Sequence, residues 1–195
     1  MANKRTVALT ETEYRESIDL LRTGFELNGK IVKPNPRIAT IVMLQATLGL
    51  RLGDVLALTV DSIIRDGNRY RLNIKEEKTG KMRTFTVANE VYAYILGYAL
   101  ENEIGKNERL FSITKRQVSR HLNKLFARMG LNSEIYGSHS FRKFFAVEVF
   151  ENSANNPEVV RILLQHSSVV TTQRYLSISS KQIEDALTSA TKNLI

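Results

Sequence analysis

Between Ser62 and Val87 the apolar pattern of this chain changes its period, and that change limits the folds open to it. Ile63, Tyr70, Leu72, Ile74, Phe85 and Val87 sit among polar residues, with turn-forming triplets at Asp66-Gly67-Asn68 and Lys78-Thr79-Gly80. Apolar side chains that alternate with polar ones line one face of a strand, so the segment predicts a small antiparallel meander of three strands. On either side the pattern is helical. Residues 38–50, IATIVMLQATLGL, are apolar enough for a buried helix, and 91–100, 115–130 and 139–150 follow helical spacing.

The helix ends carry their own signals. Thr10 followed by Glu13 has the form of a capping box and starts a first helix expected to reach about Leu27. Asn28 to Arg37 is rich in turn formers and reads as a loop, Gly130 closes the helix before it, Asn156 and Pro157 open another, and a last helix is expected from Ser180 to Lys192. No internal repeat or linker interrupts this order. The expectation is one mainly α domain over residues 1–195 with a small three-stranded antiparallel β-sheet, an α+β fold.

Composition bears on chemistry rather than on fold. Among 195 residues there is no cysteine, which excludes disulfides, thiolate nucleophiles and sulfur-ligated zinc. The N-terminus holds no apolar run that could act as a signal peptide, and no segment approaches a membrane span, so the cytoplasm is the expected location. An excess of 28 Lys and Arg over 20 Asp and Glu favours a polyanionic partner.

That excess is concentrated. Between Arg109 and Ser133 there is no acidic residue, and Arg116, Arg120, Lys124 and Arg128 recur at every fourth position. On a helix they form one face, while Val118, Leu122, Leu125 and Met129 follow a core-facing period on another. Such a stripe is either a solvated face or a set of phosphate contacts. The missing acids and three arginines, each able to hold a phosphate by paired hydrogen bonds, favour phosphate.

Six further residues could do chemistry. His139 and Arg142 are three apart, so a helix presents both on one face near its positive N-terminal end. Arg51 lies in the otherwise apolar stretch GLRLGDVLAL, where a bare cation is costly; an internal salt bridge to Asp54 would answer that cost, and Asp54 could then orient Arg51 towards a ligand. Lys78 sits on a strand connection that could project into a groove. His166 precedes Tyr175 by nine residues, and a tyrosine hydroxyl, with a reference pKa near 10, becomes a nucleophile only where cations stabilise its anion. Taken one at a time, His139 with Arg142, Lys78 and Tyr175 are each more simply read as packing or solvated surface.

Taken in order, they resemble the catalytic domain of the tyrosine recombinases, the phage integrase family. TLGLRLGDVLAL is similar to the family's first-arginine motif, EEKTGKMRTFTV to its lysine-bearing hairpin, HSFR to its His-x-x-Arg, and LLQHSSVVTTQRY to its terminal box. The likeness runs from about Thr10 to Leu187. It implies that Tyr175 attacks the scissile phosphodiester, that Arg51 and Arg142 clamp its non-bridging oxygens, and that Lys78 protonates the leaving 5′ oxygen. His139 and His166 would support proton transfer, with no metal, ATP or other cofactor.

The resemblance further implies double-stranded DNA as partner and a homo-tetramer on DNA joined through the C-terminal helix. An accessory DNA-bending protein is possible in this family, and a membrane is not expected. Three positions depart from the family's usual residues: Asp54 for glutamate, Phe141 for leucine and Gln165 for glycine. The family's separate N-terminal core-binding domain is not expected within these residues, which fits either a fragment of a longer integrase or a compact recombinase similar to the fimbrial phase-variation invertases. Relaxation of DNA in the manner of a type IB topoisomerase, and DNA binding without turnover, are the rival readings.

Overall fold

The computed structural model describes residues 6–176. Helix α1, Glu11–Thr23, begins with the expected capping box, in which the Thr10 side chain accepts from the Glu13 N–H and the Glu13 carboxylate from the Thr10 N–H. It stops four residues earlier than the expected Leu27. Gly24 takes a φ of +82°, a conformation that a Cβ would block against the carbonyl of Val32.

After Gly24 the chain forms an unexpected hairpin of β1, Phe25–Leu27, and β2, Lys30–Val32. Its two-residue turn is Asn28-Gly29, both at positive φ, and an Asn-Gly pair is the strongest short-range sign of a tight hairpin. The loop expected over 28–37 therefore holds a strand.

Helix α2, Pro36–Leu48, is buried along most of its length and forms the centre of the core with Leu21, Val55, Leu122 and Phe126. A short helix α3, Leu52–Leu56, leads into the meander. Its strands are β3, Ile63–Asp66, β4, Arg69–Lys75, and β5, Met82–Val87, in the order β3-β4-β5. Leu72 stands opposite both Ile63 and Phe85. The apolar face so aligned turns inward, with Ile63, Leu72 and Val87 buried. Alternation then places Arg83, two residues before Phe85, on the same inward face.

Helices α4, Asn89–Glu101, α5, Lys115–Arg128, α6, Ser138–Asn152, α7, Pro157–Leu164, and α8, Val169–Leu176, complete the described chain. The contacts divide it into two compact units, Met1–Phe145 and Ala146–Ile195. Among the described residues no helix is long and apolar enough to cross a membrane. The last expected helix, Ser180–Lys192, lies outside the described residues.

Candidate active site

Arg51 is the residue immediately before α3, a position where its side chain is about a quarter exposed. Its partner is not Asp54. Arg51 Nη1 donates to Glu76 Oε2 at 2.6 Å, whereas Asp54 Oδ1 accepts the backbone N–H of Glu77 at 2.9 Å. The sequence offers Asp54 as the carboxylate that would answer the cost of a bare Arg51 cation. Instead α3 turns Asp54 inward and the end of β4 brings a carboxylate from 25 residues away.

Glu76 is fully buried and occupied on both oxygens. Its Oε2 also accepts from the Thr79 hydroxyl at 2.8 Å, and its Oε1 accepts from Arg83 Nη1 at 3.1 Å. Burial alone would raise the carboxyl's pKa, but the bonds from Arg51, Thr79 and Arg83 outweigh it and hold it below the usual carboxylate range.

Arg83 continues the network. Its Nη2 donates to the carbonyls of Leu48 and Gly49, each at 3.1 Å, and Arg142 Nη1 donates to Gly49 O at 2.7 Å. The C-terminal end of α2, where carbonyls point outward and the dipole is negative, thus receives two buried guanidinium groups. Burial and the neighbouring charge of Arg142, only partly offset by Glu76, pull Arg83 down to about 10. Gly49 has φ +58°, and a Cβ there would run into the Phe145 ring, so glycine is needed where the two arginines meet the chain.

Lys78 lies at the exposed apex of the turn between β4 and β5, directly after Glu76 and Glu77. Both glutamates anchor that turn. Glu76 grips the arginines, and Glu77 pairs with Lys115 Nζ of α5 at 2.6 Å, passing so close to Gly53 that a side chain there would collide with the pair. His139 is the second residue of α6, half-buried, one turn before the buried Arg142.

In the second unit, α7 ends at Gln165, which adopts a left-handed φ of +54°. That conformation explains why glycine is usual at this position in the resembling family. His166 comes next, its Nδ1 3.0 Å from the hydroxyl of the buried Thr172. Arg161, held by Glu158, donates to the His166 carbonyl at 3.2 Å and fixes the backbone there. Tyr175, one turn beyond Thr172 on α8, sets its ring edge-on to His166 with centroids 5.0 Å apart.

The predicted residues therefore fall into two groups. Arg51 and Arg142 join one network, with Lys78 on the turn that Glu76 anchors, while His166 and Tyr175 form the other group. Glu76, Arg83, Lys115 and Arg161 were missed. For Arg83 a signal existed, since it shares the inward period of Phe85 and Val87, and for Arg161 the helical spacing to Glu158; Glu76 meets Arg51, and Lys115 meets Glu77, across distances no local pattern carries.

On α5 the four expected cations Arg116, Arg120, Lys124 and Arg128 are exposed, opposite the buried Val118, Leu122 and Leu125. None of the four forms an ion pair among the described residues.

Comparison with known proteins agrees with the motifs. The model of the phage integrase family matches residues 8–182. The probable integrase/recombinase YoeC of Bacillus subtilis is 29% identical over 160 residues, 78% of this chain and 84% of YoeC. Tyrosine recombinase XerA of Pyrococcus furiosus is 26% identical, and the alignment spans 96% of this chain but 64% of XerA. Among solved structures, XerH site-specific recombinase bound to a palindromic difH substrate superposes with a TM-score of 0.71 at 21% identity, covering 95% of this chain and 53% of that one. The catalytic domain of bacteriophage HP1 integrase gives 0.62 at 20% identity, covering 94% and 95%. The likeness to the solved structures is one of fold.

Proposed function

This chain belongs to the phage integrase family, and from that premise we propose that it is a tyrosine-type site-specific recombinase. It breaks and rejoins double-stranded DNA through a covalent 3′-phosphotyrosine intermediate, in the cytoplasm and in the service of a mobile element. The observation that carries this reading is the charge of the arginine network. Arg51 and Arg83 bond the carboxylate of Glu76, Arg83 and Arg142 meet on the carbonyl of Gly49, and Arg83 and Arg142 are each only 1% exposed. Such a concentration of positive charge, held largely out of water, favours an anion.

The chemistry follows from that charge. The hydroxyl oxygen of Tyr175 attacks the scissile phosphorus, the bond from phosphorus to the 5′ oxygen breaks, and the tyrosine proton passes to a nearby base, for which His166 and His139 are the candidates. Lys78 gives its proton to the departing 5′ oxygen. Arg51 and Arg142 neutralise the charge that builds on the non-bridging oxygens, the principal demand of phosphoryl transfer. The phosphotyrosine ester keeps the energy of the original bond, so attack by a 5′ hydroxyl of another strand restores DNA without a nucleotide or a metal.

The exposed cations of α5 hold the DNA backbone. Exchange between two duplexes needs several active sites together, which a homo-tetramer assembled on DNA supplies, with its contact through the C-terminal segment and, at some sites, with a DNA-bending protein. The XerA and XerH relatives are longer than this chain, and a domain that grips the opposite side of the duplex would add to affinity.

The test is covalent capture. Wild-type protein incubated with nicked duplexes of randomised sequence retains DNA after denaturation, and sequencing that DNA yields the recognised site. Tyr175→Phe retains none while its affinity for DNA stays close to wild type. Capture by the phenylalanine variant would remove Tyr175 from its role.

A further inference from the structure

The β1–β2 hairpin packs on α5, with Phe25 edge-on to His121 at 6.5 Å. Between them runs an open cleft of about 660 Å³, whose walls include Asn28, Lys30, Lys33, Asn35, His121 and Lys124. Among the described residues no carboxylate lines it. From Leu27 to Gly53 the chain has no acidic residue, and Glu26, the hairpin's own acid, stands on the opposite pleat face from the buried Phe25. Burial and the charge of Lys124 lower the pKa of His121, so the histidine is a wall of the cleft and the lysines supply its charge.

Lys30, Lys33 and Lys124 make no ion pair among the described residues. Three ammonium groups facing one cleft repel each other and collect counterions, and a polyanion that displaces those ions gains the entropy of their release. Lys124 belongs both to this cleft and to the cationic stripe of α5, which makes the two surfaces continuous.

We propose that the cleft is a second seat for the DNA backbone, in which the β1–β2 hairpin extends the α5 contact and Lys30 and Lys33 each meet a phosphate. The inference rests on the reading of the chain as a DNA-acting enzyme, and it assigns a role to a hairpin that holds none of the candidate catalytic residues. Its contacts are with phosphates and carry no base information, so they strengthen binding to any sequence equally.

Binding of a mixed-sequence duplex is measured by fluorescence anisotropy over a range of salt concentrations, for wild type and for single variants. Each phosphate contact contributes about 0.9 to the slope of log affinity against log salt. Lys30→Ala and Lys33→Ala each lower the magnitude of that slope by about 1. Lys106→Ala, the same charge lost from the exposed loop after α4, leaves it unchanged. Equal slopes for wild type and both hairpin variants overturn the proposal and point the exposed Ile31 towards a protein partner instead; an equal loss at Lys106 overturns it as well.

Covalent capture is read on the same preparations. A protein that captures DNA but shows no slope change loses this proposal alone. One that shows the slope losses without capture keeps it and loses the catalytic reading.

Discussion

The first unit holds two cationic regions built from the same residue type under opposite physics. In the network of Arg51, Arg83 and Arg142, the last two guanidinium groups are withdrawn from water, and all three are bonded to fixed acceptors: Glu76, Leu48 O and Gly49 O. On α5, Arg116, Arg120 and Arg128 stand in solvent without ion-pair partners among the described residues. The buried arginines cannot reorient, and their field acts in a medium of low polarisability, so they suit a transition state whose position is fixed. The exposed ones are screened by solvent and salt. They suit a partner that must be found, held and released, with an affinity that salt controls.

The sharpest way to break this contrast is Arg142→Met, which keeps bulk and removes charge. Cleavage of the bound DNA should fall on the order of 10³-fold, the size expected for losing one preorganised cation from a phosphoryl-transfer site. Thermal stability should stay near wild type, because Arg83 still bonds Gly49 O and is freed from the repulsion of Arg142. A modest rate loss with a large fall in melting temperature would make Arg142 structural.

Glu76→Gln tests the same network from its anionic side. It leaves Arg83 without a countercharge in a buried place and should cost about 3 kcal/mol in denaturant titrations. The sign of the pH dependence comes from the lowered pKa of Glu76. Its contribution is fully present above the carboxyl's unfolded pKa and is lost as pH falls through the lower folded value. Wild type should therefore lose stability over that acid window, and Glu76→Gln should lose less. Parallel pH curves for the two proteins would contradict the assignment.

The smallest effect belongs to the exposed region. Arg120→Ala should weaken DNA binding about equally across sequences and lower the salt slope by about 1, with the cleavage rate of saturated complex unaltered. A changed rate at saturation would mean that the stripe reaches into the chemistry, and the contrast between the regions would fail.

Much of this was legible before the fold was known. The Thr10–Glu13 capping box, the β3–β4–β5 meander and the amphipathic α5 all rest on interactions within a few residues, and a local pattern records them directly. The β1–β2 hairpin was equally local, but its Asn28-Gly29 signal was outweighed by the turn-forming residues on both sides of β2. The apolar surroundings of Arg51 mark it as a cation needing an anion, but the sequence points to Asp54 where the fold supplies Glu76.

The sequence alone determined which elements form and which side chains are chemically able to act, because caps, turns and apolar periods are set by neighbours along the chain. The tertiary structure decided who meets whom. Glu76 reaches Arg51 over 25 residues, Arg83 reaches Gly49 O over 34, and Arg142 reaches that same carbonyl over 93. Such pairings depend on how the core of α2 packs against the sheet and α6, and their strength on the water that packing excludes. No spacing of residue types encodes that exclusion, so the network of Arg51, Glu76, Arg83 and Arg142 became visible only when the chain was folded.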